Sequence, residues 1–297
     1  MTDDEDDAYK PLPVVLSPVA DELLSSWLAR NAAYYGVSGP FFAKWLRLGT
    51  PNLSVLDHRL GLTQVVRLSE KLLCDPTALI AMTFINMPSG TAELICRNRA
   101  PQICQPCADR HSAEGASGAV PKHWRKAWRV TCPACAAPLS DTTERPANGE
   151  TLRDTSPFAR LWKEAAAGEA IIERFLHGES SFEYSPVGLM SALLVQTWRS
   201  CGASGREPAV GWTLGAIVPE FDELARPLKR KIHHAAVAAL PISFRPALLA
   251  GVSQTIASSD ALNAVREQTM LRGRRAFDRL CETARLEANP TTKSHQT

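Results

Sequence analysis

Two short cysteine pairs, Cys104-Gln105-Pro106-Cys107 and Cys132-Pro133-Ala134-Cys135, are the residues of this chain best suited to chemistry. Each is a Cys-x-x-Cys knuckle, and the two stand about as far apart as the halves of a zinc ribbon. Four thiolates brought together fill a tetrahedral Zn²⁺ site and leave no position open for water, so such a site holds a small fold together and does no chemistry of its own. The other cysteines, Cys74, Cys96, Cys201 and Cys281, have no partner at knuckle spacing. A disulfide framework would therefore have to ignore the clustering that is present. Cys96, eight positions before Cys104, could compete as a ligand, but a lone cysteine is ordinarily core filler.

Two catalytic readings of the same residues fit less well. A nucleobase deaminase needs a His close to a Glu ahead of a Pro-Cys-x-x-Cys, with one zinc position left for hydroxide. His111-Ser112-Ala113-Glu114 followed by Thr131-Cys132-Pro133-Ala134-Cys135 has the wrong His-to-Glu spacing, lacks the proline and leaves Cys104 and Cys107 idle. A thioredoxin-like Cys-Pro-Ala-Cys needs a long helix after it, and Pro138 stands three residues past Cys135. No phosphate-binding Gly-x-x-x-x-Gly-Lys loop, Gly-x-Ser-x-Gly elbow or His-Glu-x-x-His is present. The adjacent pair His233-His234 would diverge by about 100° on a helix. The expectation is a protein that is not an enzyme.

Charge supplies the second functional signal. The net charge is +2, yet residues 1–10 carry five acids against Lys10, which leaves the rest positive. Arg97, Arg99, Lys122, Arg125, Lys126 and Arg129, interleaved with Trp124 and Trp128, form a patch of the kind that meets nucleic-acid phosphates. The competing reading is that they merely solvate a small module.

The elements that must position these residues are mainly helical. Residues 1–10 read as an acidic disordered tail. Over 11–88 the apolar spacing predicts a helical, helix-turn-helix-like domain. A first helix has Asp21 as cap and Gly36 as stop, a second runs from Ser38 to Leu48, a third is capped by Thr63, and a fourth opens at Asp75-Pro76. Its aromatics, Trp27 and Phe41 among them, read as core. Residues 89–141 lose the helical period and read as the zinc-ribbon module, with a short strand over 122–129; 142–157 reads as a linker. Residues 158–297 form a C-terminal helical domain, with helices opening at Ser156-Pro157 and Ser185-Pro186 and stopping at Gly178 and Gly202. A last helix over 260–286 carries Arg272, Arg275 and Arg279 on one face, most simply as a solvated stripe. No apolar run reaches the ~18 residues of a membrane span, and Met1-Thr-Asp-Asp-Glu-Asp-Asp7 is no signal peptide. A cytoplasmic protein with reduced thiols is expected.

In this order the motifs resemble the TniQ/TnsD family of transposition proteins. Its Gly/Glu-x-Leu-x-Ser-Trp-Leu-x-Arg helix is similar to Ala20–Arg30, and its following turn to Tyr35-Gly36-Val37-Ser38. Leu79–Phe84 is similar to its Leu-x-x-Met-Thr-Leu stretch, and Trp128-Arg129 to the strand between its knuckles. Cys132–Leu139 is similar to its Cys-Pro-x-His-x-x-x-Leu, with Cys135 where His is common. That change is conservative for zinc. Many relatives carry a further cysteine pair that Ser140–Gly149 lacks, so one structural Zn²⁺ is expected.

The resemblance implies a non-enzymatic adaptor that selects or bridges to a DNA target and recruits an AAA+ ATPase and the transposase complex. It leaves open whether the target is read directly or through a guide-RNA effector complex, and whether the chain is a homodimer. Lys44 and Arg47 are the expected partner-docking residues; a membrane is not among the partners. The alternative is a stand-alone transcriptional regulator with a zinc ribbon and a helix-turn-helix.

Overall fold

The computed structural model describes residues 10–88, 90–96, 102–141, 152–179, 182–201, 206–226, 237–269 and 271–288. They are mainly helical and divide into two compact units. One holds the described residues of Met1–Ala92 with Ile103–Arg125 and Pro133–Cys135; the other holds those of Glu93–Gln102, Lys126–Cys132 and Ala136–Thr297. Residues 1–9 of the acidic tail and 142–151 of the linker lie outside the described residues.

In the first unit α1 (Leu24–Tyr34), α2 (Gly39–Trp45), α3 (Leu62–Leu72) and α4 (Pro76–Ala81) surround a core of Leu24, Trp27, Leu28, Phe42, Leu46, Leu68 and Leu79. Gly36 turns the chain between α1 and α2 with a φ of +67°, a conformation glycine adopts without steric cost. Ser38 caps α2 by accepting from Phe41 N, and Asp75 caps α4 by accepting from Thr77 N at 2.6 Å. Phe41, expected in the core, is 58% exposed. Phe42 and Leu46 take the inner face, and on a helix the preceding residue points about 100° away.

The start of α1 departs from expectation in an informative way. The helix begins at Leu24, and Leu23 at its cap position offers no side-chain acceptor. Asp57 supplies the cap from 32 residues on, Oδ1 accepting from Ser25 N at 2.9 Å and Oδ2 from the Ser25 hydroxyl at 2.6 Å. Asp21 has a φ of +59° and serves residues 122–123: its carbonyl accepts from Lys122 N at 2.7 Å and its carboxylate from His123 N at 3.2 Å. Thr63 does not cap α3 either, which opens at Leu62 while Gln64 Oε1 accepts from Gly61 N at 2.8 Å.

Glu22 is buried beside that start. Its Oε1 accepts from Arg30 Nε and the Ser26 hydroxyl, and its Oε2 from Arg30 Nη2, each at 2.8 Å, and from Val19 N at 2.9 Å. Arg30 Nη2 also donates to Ser17 O at 2.8 Å. Ser26 in turn accepts from Val120 N at 2.9 Å, and Leu23 N donates to Val120 O at 3.0 Å. The lead-in chain, α1 and residues 118–123 are thus one hydrogen-bonded body. The stretch after the first knuckle, placed by sequence in a separate ribbon module, packs on the helices. α5 (Gln105–Ala113) completes this unit.

The second unit holds two two-residue strands, β1 (Gln102–Ile103, of which Gln102 lies here) and β2 (Ser140–Asp141), and α6 (Leu152–Thr155). Ser156 Oγ accepts from Phe158 N, but the helix expected at Ser156-Pro157 opens later, as α7 (Trp162–Leu176), and stops at Gly178 with a φ of +71°. α8 (Pro186–Leu193) is shorter than expected. An antiparallel hairpin of β3 (Gln196–Cys201) and β4 (Arg206–Trp212) follows it, with Trp198 opposite Val210, where one continuous helix to Gly202 was expected. The Val-, Thr- and Trp-containing segment after Leu193 favours a strand once a partner strand is at hand. α9 (Glu220–Leu224) precedes α10 (Arg245–Ala257), which is buried from Arg245 to Val252. At Gly168 of α7 a Cβ would lie 2.1 Å from Leu249 O, so the absence of a side chain lets α7 and α10 touch. The long last helix is two: α11 (Ser259–Gln268) and α12 (Leu271–Ala288), parted at extended Thr269 and linked by Arg266 on Asp278 at 2.9 Å. Arg275 and Arg279 are exposed. No helix among the described residues is long and apolar enough to cross a membrane.

Burial pushes the Asp57 carboxyl up to about 6, opposed by its bonds to Ser25 and by Arg125 nearby. The folded state therefore binds a proton that the unfolded chain has released between pH 4 and 6, and stability falls as pH rises through that window, by on the order of 3 kcal/mol for this group. Asp57→Asn keeps an acceptor for Ser25 N and should flatten that decline. Asp57→Ala should cost about 1–2 kcal/mol by stranding the cap. Urea unfolding at pH 4, 6 and 8 measures both.

Candidate metal centre

The first knuckle is the opening of a helix. Cys104 stands at the cap of α5, Pro106 occupies its first turn, and Ala108 N donates to Cys104 O at 2.9 Å, which places Cys107 one turn along on the same side. A helix here was not expected, because its face carries few apolar residues. The second knuckle is a tight turn. Cys132 O accepts from Ala136 N and Cys132 N donates to Ala137 O, both at 2.8 Å, with Ala136 at a φ of +58° and Thr131 bridged to Pro138.

All four sulfurs lie within 4.8 Å of one another. Cys135 Sγ is 3.3 Å from Cys104 Sγ and 3.6 Å from Cys107 Sγ. A tetrahedron with Zn–S bonds of about 2.3 Å has sulfurs about 3.8 Å apart, whereas a disulfide needs about 2.05 Å. The arrangement suits one ion held by four thiolates. Cys104, Cys107 and Cys132 are buried and Cys135 faces solvent. Arg110 Nη2, 3.6 Å from Cys107 Sγ, offsets part of the negative charge such a ligand set accumulates.

Neither rival ligand joins the group. Cys96 is buried elsewhere, its Sγ 3.5 Å from Arg245 Nη2. His111 is buried on α5 with its ring stacked on Trp124, and Glu114 is exposed at the helix end. Burial holds the His111 imidazole below its ordinary range, with Arg110 adding to the effect.

The basic residues are placed unequally. Arg97 and Arg99 lie outside the described residues. The expected strand over 122–129 is a 3₁₀ turn, Lys122–Arg125, and then an isolated bridge from Lys126 to Ile95. His123, Trp124, Ala127 and Trp128 are buried, and that spacing is not a strand's alternation. Lys122 donates to Ala81 O and lies 3.4 Å from Asp21. Arg125 is half-buried, within electrostatic reach of Asp57. Lys126 lies over the Trp128 ring at 5.3 Å and 3.8 Å from Glu173.

Arg129, expected to meet phosphates, is also tied to α7. Its Nη1 meets Glu169 Oε1 and its Nη2 meets Glu173 Oε1, both at 2.8 Å, with the side chain 13% exposed. Trp128 Nε1 also donates to Glu173, at 2.6 Å. Sequence reasoning missed Glu169 and Glu173. Their four-residue spacing on a helical pattern was visible, but the cations they would meet were not. Lys44 and Arg47, the expected docking residues, are exposed at the end of α2, where Phe41 and Trp45 are exposed as well.

Residues 13–139 match the TniQ family model. That segment, a little under half of the chain, is similar to the TniQ family. No curated protein and no solved structure matches the chain. The match runs from the lead-in chain to the residue before β2 and includes all four cysteines. A TniQ match suggests a transposition-associated accessory protein, and the matched segment takes in the Glu22–Arg30 pair together with both knuckles.

Replacing any one of the four cysteines by Ser should lower the bound metal from one ion per chain to less than a tenth and expose residues 104–139 to proteolysis. A structural zinc contributes on the order of ten kcal/mol to its module. Elemental analysis and limited proteolysis of the four variants measure this; an unchanged metal content in any of them contradicts the site.

Proposed function

We propose that the protein couples a chosen DNA target to the transposition machinery, as a non-enzymatic adaptor between that target, an AAA+ ATPase and the transposase. The observation that carries the reading is the TniQ match over a segment that holds a four-cysteine cluster. In this reading the ion is one structural Zn²⁺ held by Cys104, Cys107, Cys132 and Cys135, and its work is to keep the knuckles rigid.

Contact with DNA phosphates falls to the cluster Arg97, Arg99, Lys122, Arg125, Lys126 and Arg129, in which Lys122 also meets Asp21 and Lys126 and Arg129 also meet Glu173 and Glu169. Docking of the ATPase falls to the end of α2, where Lys44 and Arg47 flank exposed Phe41 and Trp45. Exposed aromatic residues beside cations are the composition that interface hot spots share.

Reconstituted transposition with an AAA+ ATPase and transposase of the same transposition system tests the proposal. Omitting the protein should abolish insertion at the normal target. Lys44→Glu with Arg47→Glu should reduce ATPase recruitment at least tenfold while leaving metal content intact. Lys122→Ala with Arg125→Ala should weaken DNA binding on every sequence and lower the salt slope by about two charges. Insertion indifferent to the protein, with promoter occupancy retained, would favour the regulator reading.

A further inference from the structure

Glu169 lies on α7, outside the segment that the TniQ model matches, yet it bonds the chain just before the second knuckle. It is buried, and its two oxygens accept four hydrogen bonds from three consecutive residues. Oε2 accepts from Val130 N at 3.0 Å and Thr131 N at 3.1 Å. Oε1 accepts from the Thr131 hydroxyl at 2.7 Å and Arg129 Nη1 at 2.8 Å. The next residue is the metal-ligand candidate Cys132. Two adjacent backbone N–H groups bound by one oxygen fix the direction in which the chain leaves Thr131, and with it the Cα–Cβ vector of Cys132. The other side of the turn is fixed by Cys132 N on Ala137 O and Leu139 N on Val130 O, both at 2.8 Å.

We infer that Glu169 is a positioning residue for the metal centre: through the backbone of Val130 and Thr131 it holds Cys132 in the orientation that the other three thiolates require. The metal affinity of the TniQ domain then depends on a residue of the C-terminal half, and residues 1–141 alone would present Cys132 loosely. The role is indirect, because no Glu169 atom is a ligand. A carboxylate suits the position, since all four groups facing it are donors. An amide in its place would turn an NH₂ group towards two of them.

The inference rests on the proposal that the four thiolates hold a metal ion, and cobalt titration of the unaltered full-length chain tests that proposal separately. Absence of a tetrahedral cobalt–thiolate spectrum would refute the metal site itself. With that spectrum present, Glu169→Gln and Glu169→Ala should speed extraction of zinc by a chromophoric chelator about 10- to 100-fold, the range found when partners that orient metal ligands are removed, and should shift the cobalt bands.

Glu173→Gln is the control. Glu173 also joins α7 to Trp128 and Arg129, but bonds neither Val130 nor Thr131, so its loss should leave extraction within about twofold of the unaltered chain by the same reasoning. Thr131→Val removes one of the four donors and keeps the side-chain shape. It carries the test if the Glu169 variants do not fold, with a smaller rise in the same direction. Native extraction rates in folded Glu169 variants, or in Thr131→Val where those do not fold, would overturn the inference, as would an equal acceleration in Glu173→Gln.

Discussion

The buried Glu22–Arg30 pair is the constraint from which the first unit follows. A carboxylate and a guanidinium out of water are tolerated only when their remaining valences are filled. Here Val19 N, Ser26 and Ser17 O fill them. Each of these partners commits a different stretch of chain, so the electrostatic demand of one pair orders the lead-in segment and the first two turns of α1. Ser26 and Leu23 then reach Val120, which extends the same network to the residues after α5. Breaking such a pair by removing one member leaves a buried charge and typically costs 3–5 kcal/mol. A hydrophobic pair of similar volume would bury as much area but would not select one register of lead-in chain against helix.

A second use of charge governs the knuckle region. Lys126 and Arg129 spend their charge on Glu169 and Glu173, and Lys122 shares its own with Asp21. A count of positive residues over 93–129 therefore overstates the field that a polyanion would meet. The same acids give the backbone around Thr131 acceptors it would otherwise lack, so a cluster that reads as a phosphate-binding patch also positions a turn. Four sulfurs lie together where the knuckles meet, and backbone hydrogen bonds around Thr131 and Cys132 hold the second knuckle's turn.

Much was legible along the chain. The spacing of Cys104, Cys107, Cys132 and Cys135, the helical period of α1 to α4, the Gly36 turn and the Asp75-Pro76 and Ser38 caps are local patterns, set by covalent geometry and nearest-turn hydrogen bonding. The closeness of the four sulfurs and the TniQ match agree with what those patterns imply. The sequence by itself also indicated burial of the α1 apolar face, Trp27 and Leu28 among it.

Tertiary structure alone decided the pairings between distant residues. Asp57 caps α1 in place of Asp21, and α7 acids claim Arg129. The segment after Leu193 becomes a strand because residues 206–212 lie beside it. Whether a cap, a cation or a β-prone segment is satisfied depends on which partner reaches it first in space, and that is settled by burial of the whole chain. Phe41 and Phe42 are chemically alike, and packing against the core chose one for the inside and left the other exposed.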